Sequence, residues 1–167
     1  MNELKISANY ISCWHFQHKD SAGNVLWEDT IRNALTNEGQ ESMLSNHFQG
    51  VTAPTEYYIR LYNDTPVKTD SLGDLSGEPV GNGYAPILVE RSAVGFPTLA
   101  LDAGDFQAVS KQVSFTASGG VIGPVTHAVL ATTSNDTGLH HAFVALSTSR
   151  TLQDTDVLNV TISIKQV

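Results

Sequence analysis

The C-terminal segment limits what this chain can fold into more than any other. From Leu158 to Lys165, Leu158, Val160, Ile162 and Ile164 alternate with Asn159, Thr161, Ser163 and Lys165. A period of two sends the two sets to opposite faces of a strand, and slipping the pairing by one residue would invert both. With one set apolar and the other polar, the segment fits a half-buried antiparallel sheet. Weaker versions of the pattern precede it. Ala142, Val144 and Leu146 oppose His141, Phe143 and Ala145, and Val113 and Phe115 oppose Ser114 and Thr116. Tyr57, Ile59 and Leu61 oppose Tyr58, Arg60 and Tyr62, while Val125–Ala131 and Ala85–Arg91 read as further strands.

Two aromatic-bearing runs near the N-terminus, Tyr10–Phe16 and Val25–Trp27, flank Asp20-Ser21-Ala22-Gly23-Asn24 and predict a β-hairpin in which Trp14 and Trp27 pair across or diagonally. One helix signal follows. Thr36 can cap it, Glu38 and Glu41 suit the positive end of its dipole, and Gly50 supplies a stop. Met43, Leu44, His47 and Phe48 fall on one face, which predicts the buried side. Gly39 lowers helix propensity and implies close packing at that point. The stretches Asn63–Gly83 and Gly95–Asp105 are turn-rich and read as irregular, surface-exposed excursions. Seven to nine strands with one helix predict a mainly β fold, an antiparallel β-sandwich or jelly-roll-like barrel. The predicted organisation is an N-terminal hairpin or arm over residues 1–30 and a sandwich over 31–167, with the helix near 36–49.

The 167 residues fit one ordinary domain. Charged residues make up only 16%, with Ser, Thr, Asn, Gln and Gly in their place, a texture suited to neutral polar sheet faces. The formal charge of −8 argues against direct nucleic-acid binding, because the surface would repel phosphates. Apolar runs fall well short of a bilayer span, so no membrane partner is expected. The single cysteine, Cys13, cannot form an intramolecular disulfide and, beside Trp14, reads as an inert core thiol. The N-terminus shows no secretory pattern, so synthesis in a host cytoplasm is expected and the Asn-x-Thr triplets at Asn63, Asn135 and Asn159 read as turn and strand chemistry.

No constellation assembles a catalytic, cofactor or metal site, and the chain reads as non-enzymatic. His15 and His18 point to opposite faces of a strand, as do His140 and His141, so half-buried or surface histidines are expected. Asp102 with Asp105, and Asp154 with Asp156, sit in turns, where solvated carboxylates are ordinary. A hydrolase built from Asp and His would need a pocket gathering them. The candidate interface residues are aromatic: Tyr57, Tyr58, Tyr62, Tyr84 and Phe96. Exposed together they would suit a sugar platform or a protein contact; otherwise they are core.

Several segments in order resemble a family of small virion structural proteins of tailed bacteriophages. They include Trp27-Glu28-Asp29, Leu35–Gln40, Phe48-Gln49-Gly50, Tyr57–Asn63, Gly81–Ala85, Val113–Gly120, Gly123–Ala128, Leu146–Leu152 and Asp156–Thr161. Where those proteins often carry Gly-Asp before the last strand, this chain has Thr155-Asp156. The resemblance implies a capsid decoration (cement) protein on the outer surface of the head. Its partners would be the major capsid protein and copies of itself, as a homotrimer. Contact regions would be the residues before Trp14, Asn63–Gly83 and Gly95–Asp105. The alternative is a tail- or fibre-associated carbohydrate-binding β-sandwich module that uses the tyrosines.

Overall fold

The computed structural model describes residues 10–166, so of the contact region expected before Trp14, residues 1–9 lie outside the described residues. Among the described residues, ten strands form two antiparallel sheets packed as a sandwich with one α-helix, and neither sheet closes into a barrel. The first sheet comprises β1 (Tyr10–Lys19), β2 (Val25–Ala34), β5 (Thr98–Asp102), β6 (Asp105–Val109), β7 (Val113–Thr116) and β10 (Val157–Gln166). Its order is β2-β1-β10-β6-β5, and β7 also pairs with β10. The second sheet runs β4 (Ile87–Glu90), β3 (Glu56–Tyr62), β8 (Ile122–Ala131), β9 (His140–Leu152).

The alternation that opened the sequence reading sets the register. Leu158, Val160 and Ile162 are fully buried between the sheets, and Ile164 sits partly buried at the rim. Strand β1 pairs with β10 along its whole length, from Tyr10 opposite Gln166 to Lys19 opposite Val157. Its own period buries Ser12, Trp14, Phe16 and His18, which turns Cys13 to the opposite, partly exposed face. Cys13 is therefore not a core thiol. The two tryptophans do not meet either: Trp14 lies opposite Ile31 and Trp27 opposite His18. Phe16 sits between them, with ring centroids 6.1 Å from Trp14 and 5.9 Å from Trp27.

Helix α1 (Asn37–Phe48) begins where the cap predicts, with the Thr36 side chain accepting from Gly39 N–H at 3.0 Å. Its seating differs from the apolar-face expectation. Leu44 and Phe48 are 53% and 82% exposed, and Gly39 and Ser42 are the buried residues. A Cβ on Gly39 would collide with the carbonyl of His141, so the helix is docked backbone to backbone by small residues. Of the expected apolar face, Met43 still packs against the core, while Leu44 and Phe48 are left facing outward.

Both supposedly irregular stretches are organised. Asn63–Gly83 folds back over the outer face of the second sheet and contains a short 3-10 turn, Leu72–Asp74. Leu72 and Leu75 cover Tyr62, Val129, Ala131 and Phe143 there. Strand β3 is thus buried on both faces over Ile59–Tyr62. Arg60, 2% exposed, pins this layer: its guanidinium donates to Glu78 at 2.9 and 2.5 Å, to Asp136 Oδ1 at 2.7 Å and to the Asn135 carbonyl at 2.8 Å. Burial opposes its charge, but the two carboxylates overrule that and hold the group protonated. Gly95–Asp105 is mostly strand. The hairpin β5–β6 closes through Ala103 and Gly104, both at positive φ (51° and 98°), the geometry of a tight hairpin turn. Leu99, Leu101 and Phe106 remain exposed on this hairpin.

Candidate functional site

The structure gathers two of the five aromatic candidates. Tyr57 enters from the start of β3, and its ring meets that of Phe96 edge to face, with centroids 6.0 Å apart at 81°. Phe96 is held by the chain after β4. Its N–H donates to the Ser92 carbonyl at 2.8 Å, and Gly95 tucks so tightly against Glu90 that any Cβ would clash with the Glu90 carbonyl.

The other three candidates serve the fold. The Tyr58 hydroxyl donates to Glu56 Oε2 at 2.8 Å, a contact that raises its pKa. Tyr62, 1% exposed, lies in the outer apolar layer with the Arg60 guanidinium 5.3 Å from its ring centroid; burial drives its phenol up. Tyr84 accepts from Leu61 N–H at 2.9 Å, donates to Glu78 Oε1 at 2.7 Å and stacks on Phe115 at 5.7 Å. Period two separates Tyr58 and Tyr62 from Tyr57, so these tyrosines share no single face of the strand.

Tyr57 and Phe96 instead wall a cavity of about 550 Å³ between the helix, the β4–β5 connection and the inner face of the first sheet. Leu130 and His141 lie at its buried end, and Ala108, Leu99 and Ile164 supply an apolar side. Met43, Asn46 and His47 of α1 face it from one flank, and Arg91, Ser92 and Ala93 from the other. The volume falls within the roughly 300–1,000 Å³ of ordinary small-molecule sites, and the mix of an apolar body with a few polar groups is typical of them. Burial raises the Tyr57 phenol, so its hydroxyl is a neutral donor and acceptor.

Sequence reasoning missed His141. It is the extra residue of a bulge, because Leu130 pairs with Ala142 while Ala131 pairs with His140. The two histidines do diverge: His140 packs its ring against Phe143 and bonds the Asp70 carbonyl at 2.9 Å, whereas His141 turns to Tyr57 at 5.2 Å. Neither is a surface group. Burial lowers the pKa of His140 and pushes that of His141 down to about 4, so both imidazoles are neutral near pH 7. His18 and His127 are buried as well, His18 against Asp156 Oδ2 at 3.1 Å. Asp156 is correspondingly buried and also receives Gln153 N–H at 2.9 Å, unlike the solvated turn carboxylate expected. Among the described residues no cluster of three or more His, Cys, Asp or Glu is placed to hold a metal ion. No helix among them is long and apolar enough to cross a membrane.

The arrangement can hold a small amphipathic ligand: aromatic edges and aliphatic carbons for its apolar faces, and amide, hydroxyl, imidazole and guanidinium groups for its polar ones. No curated protein matches the sequence. The family model of the podophage GP4 fiber I protein gp80 matches residues 34–167, which takes in every element from the end of β2 onward and every residue lining the cavity. The chain belongs to that family of phage fibre proteins.

Proposed function

We propose that the chain is a non-enzymatic fibre component of a podophage virion whose cavity engages a saccharide of the host surface. Membership in a fibre family moves the reading from the head surface to the fibre, and the head-decoration expectation has no comparable support. The observation that carries the saccharide is the Tyr57–Phe96 wall facing polar groups across one cavity. A sugar ring presents C–H faces to such aromatics and hydroxyls to Asn46, Ser92 and Arg91. Assembly of copies into the trimer expected above belongs to the same proposal.

A glycan array probed with the labelled protein, followed by titration of the glycans retained, tests it. Tyr57→Leu keeps apolar bulk but loses the ring, and we expect it to weaken binding at least about tenfold while the far-ultraviolet circular dichroism stays unchanged. An array with no glycan retained, or full affinity in Tyr57→Leu, would overturn the saccharide reading. Antibody labelling of virions along the head shell and not on the fibres would overturn the fibre assignment. A monomer by light scattering at all concentrations would remove the trimer.

A further inference from the structure

The cavity reverses the charge of the molecule around it. The chain carries 17 Asp and Glu against 9 Lys and Arg, yet among the described residues no carboxylate lines this space. Arg91 does line it, exposed at the rim, and among the described residues it has no ion-pair partner. The buried arginine of the fold, Arg60, is by contrast fully spoken for by Glu78 and Asp136. Arg91 is fixed at its backbone, where its N–H donates to the Thr55 carbonyl at 3.3 Å, so the side chain starts from a set position beside Tyr57 and Ser92.

We infer that the saccharide taken by the cavity carries a carboxylate, which Arg91 receives as a paired donor. This deepens the saccharide reading above and rests on it. A guanidinium offers two parallel N–H donors in the geometry a carboxylate accepts, and a neutral hydroxyl cannot use both with charge assistance. Acidic side chains elsewhere on the surface repel an anionic glycan, and among the described residues Arg91 is the one Lys or Arg that lines the cavity, next to a Ser92 hydroxyl that donates to Glu90 Oε2 at 3.3 Å. His141 adds no charge at the buried end, which leaves that end suited to the uncharged part of the sugar.

The test uses the full chain and an array carrying uronic-acid and sialic-acid glycans, the same glycans as methyl esters, and sugar phosphates. The acids should bind at least about tenfold more tightly than their esters at low salt, with the gap narrowing as salt rises. Arg91→Gln should abolish that preference, bringing acid and ester to equal affinity, and Arg91→Lys should restore part of it. Equal binding of acid and ester, a preference that survives Arg91→Gln, or stronger binding of phosphates than carboxylates would overturn the inference while leaving the saccharide reading in place. No binding to any glycan would overturn both.

Discussion

His141 joins more of the molecule than its size suggests. Its carbonyl accepts from Thr36 N–H at 3.2 Å and from the Thr36 hydroxyl at 3.0 Å, the helix rests on that carbonyl through Gly39, and its ring abuts Tyr57. Placing the ring there requires it to be neutral. The unfolded imidazole takes up a proton near pH 6.5 and the folded one only near pH 4. Between those values the unfolded chain binds more protons, so stability is full above pH 6.5 and is lost as pH falls toward 4. The loss from this residue is about 3 kcal/mol, and the lowered pKa values of His127 and His140 add to it with the same sign. His141→Phe keeps an aromatic edge on Tyr57. Urea unfolding at pH 7 and pH 4.5 should show it losing about 2 kcal/mol less than the parent chain between those conditions; identical pH dependence would refute this role. The sequence concealed the position because a strict period of two has no place for a bulge residue, and the pairing with β8 that creates the bulge is a long-range property.

Among the elements, the final turn bears on the one departure from the family-like pattern noted in the sequence. Thr155, between β9 and β10, adopts φ 71°, a left-handed conformation that is unfavourable for a β-branched residue and easy for glycine. Its N–H donates to the Ala117 carbonyl at 2.9 Å, which fixes the backbone in place regardless of side chain. Thr155→Gly should therefore stabilise the fold by about 1 kcal/mol, raising the melting temperature by about 2–4 °C in calorimetry; a lower melting temperature would contradict it. Helix α1 was legible in its ends but not in its face. Thr36 and Gly50 act locally, through a side-chain cap and a positive φ of 70°. Which side is buried depends on how closely Gly39 and Ser42 let the helix approach β9, and hydrophobic spacing does not register an approach made by small residues. The β5–β6 hairpin was hidden for the opposite reason: Leu99 and Leu101 alternate properly, but the Asp102–Asp105 turn hid the second strand, and none of the described residues buries their face.

For the whole molecule, the sandwich was legible because most strands bury one face against the other sheet, as Val113 and Phe115 do in the common core. The cavity was not, because its walls come from α1, β3, the β4–β5 connection, β5, β6, β8, β9 and β10, and only the packed fold brings them together. The family match starts at Ala34, yet β1 is an interior strand between β2 and β10 and contributes Trp14 and Phe16 to the core. A chain trimmed to residues 34–167 loses both aromatics and the full ladder along β10, a deficit of well over 5 kcal/mol from the two side chains alone. It should not fold: circular dichroism and amide exchange should report an unfolded or aggregated product, and a soluble fragment with native dichroism would show that the hairpin is dispensable.

The pairing of Tyr10 with Gln166 sets how the molecule would bear a load. Adjacent antiparallel strands present their two chain ends side by side, and pulling those ends apart breaks the ladder one rung at a time, as a zipper opens, instead of shearing all rungs together. A tensile load passed through the chain from one end to the other would peel β1 from β10 at low force. A load that does not cross that corner would leave the ladder, and the cavity beside Ile164, unpeeled.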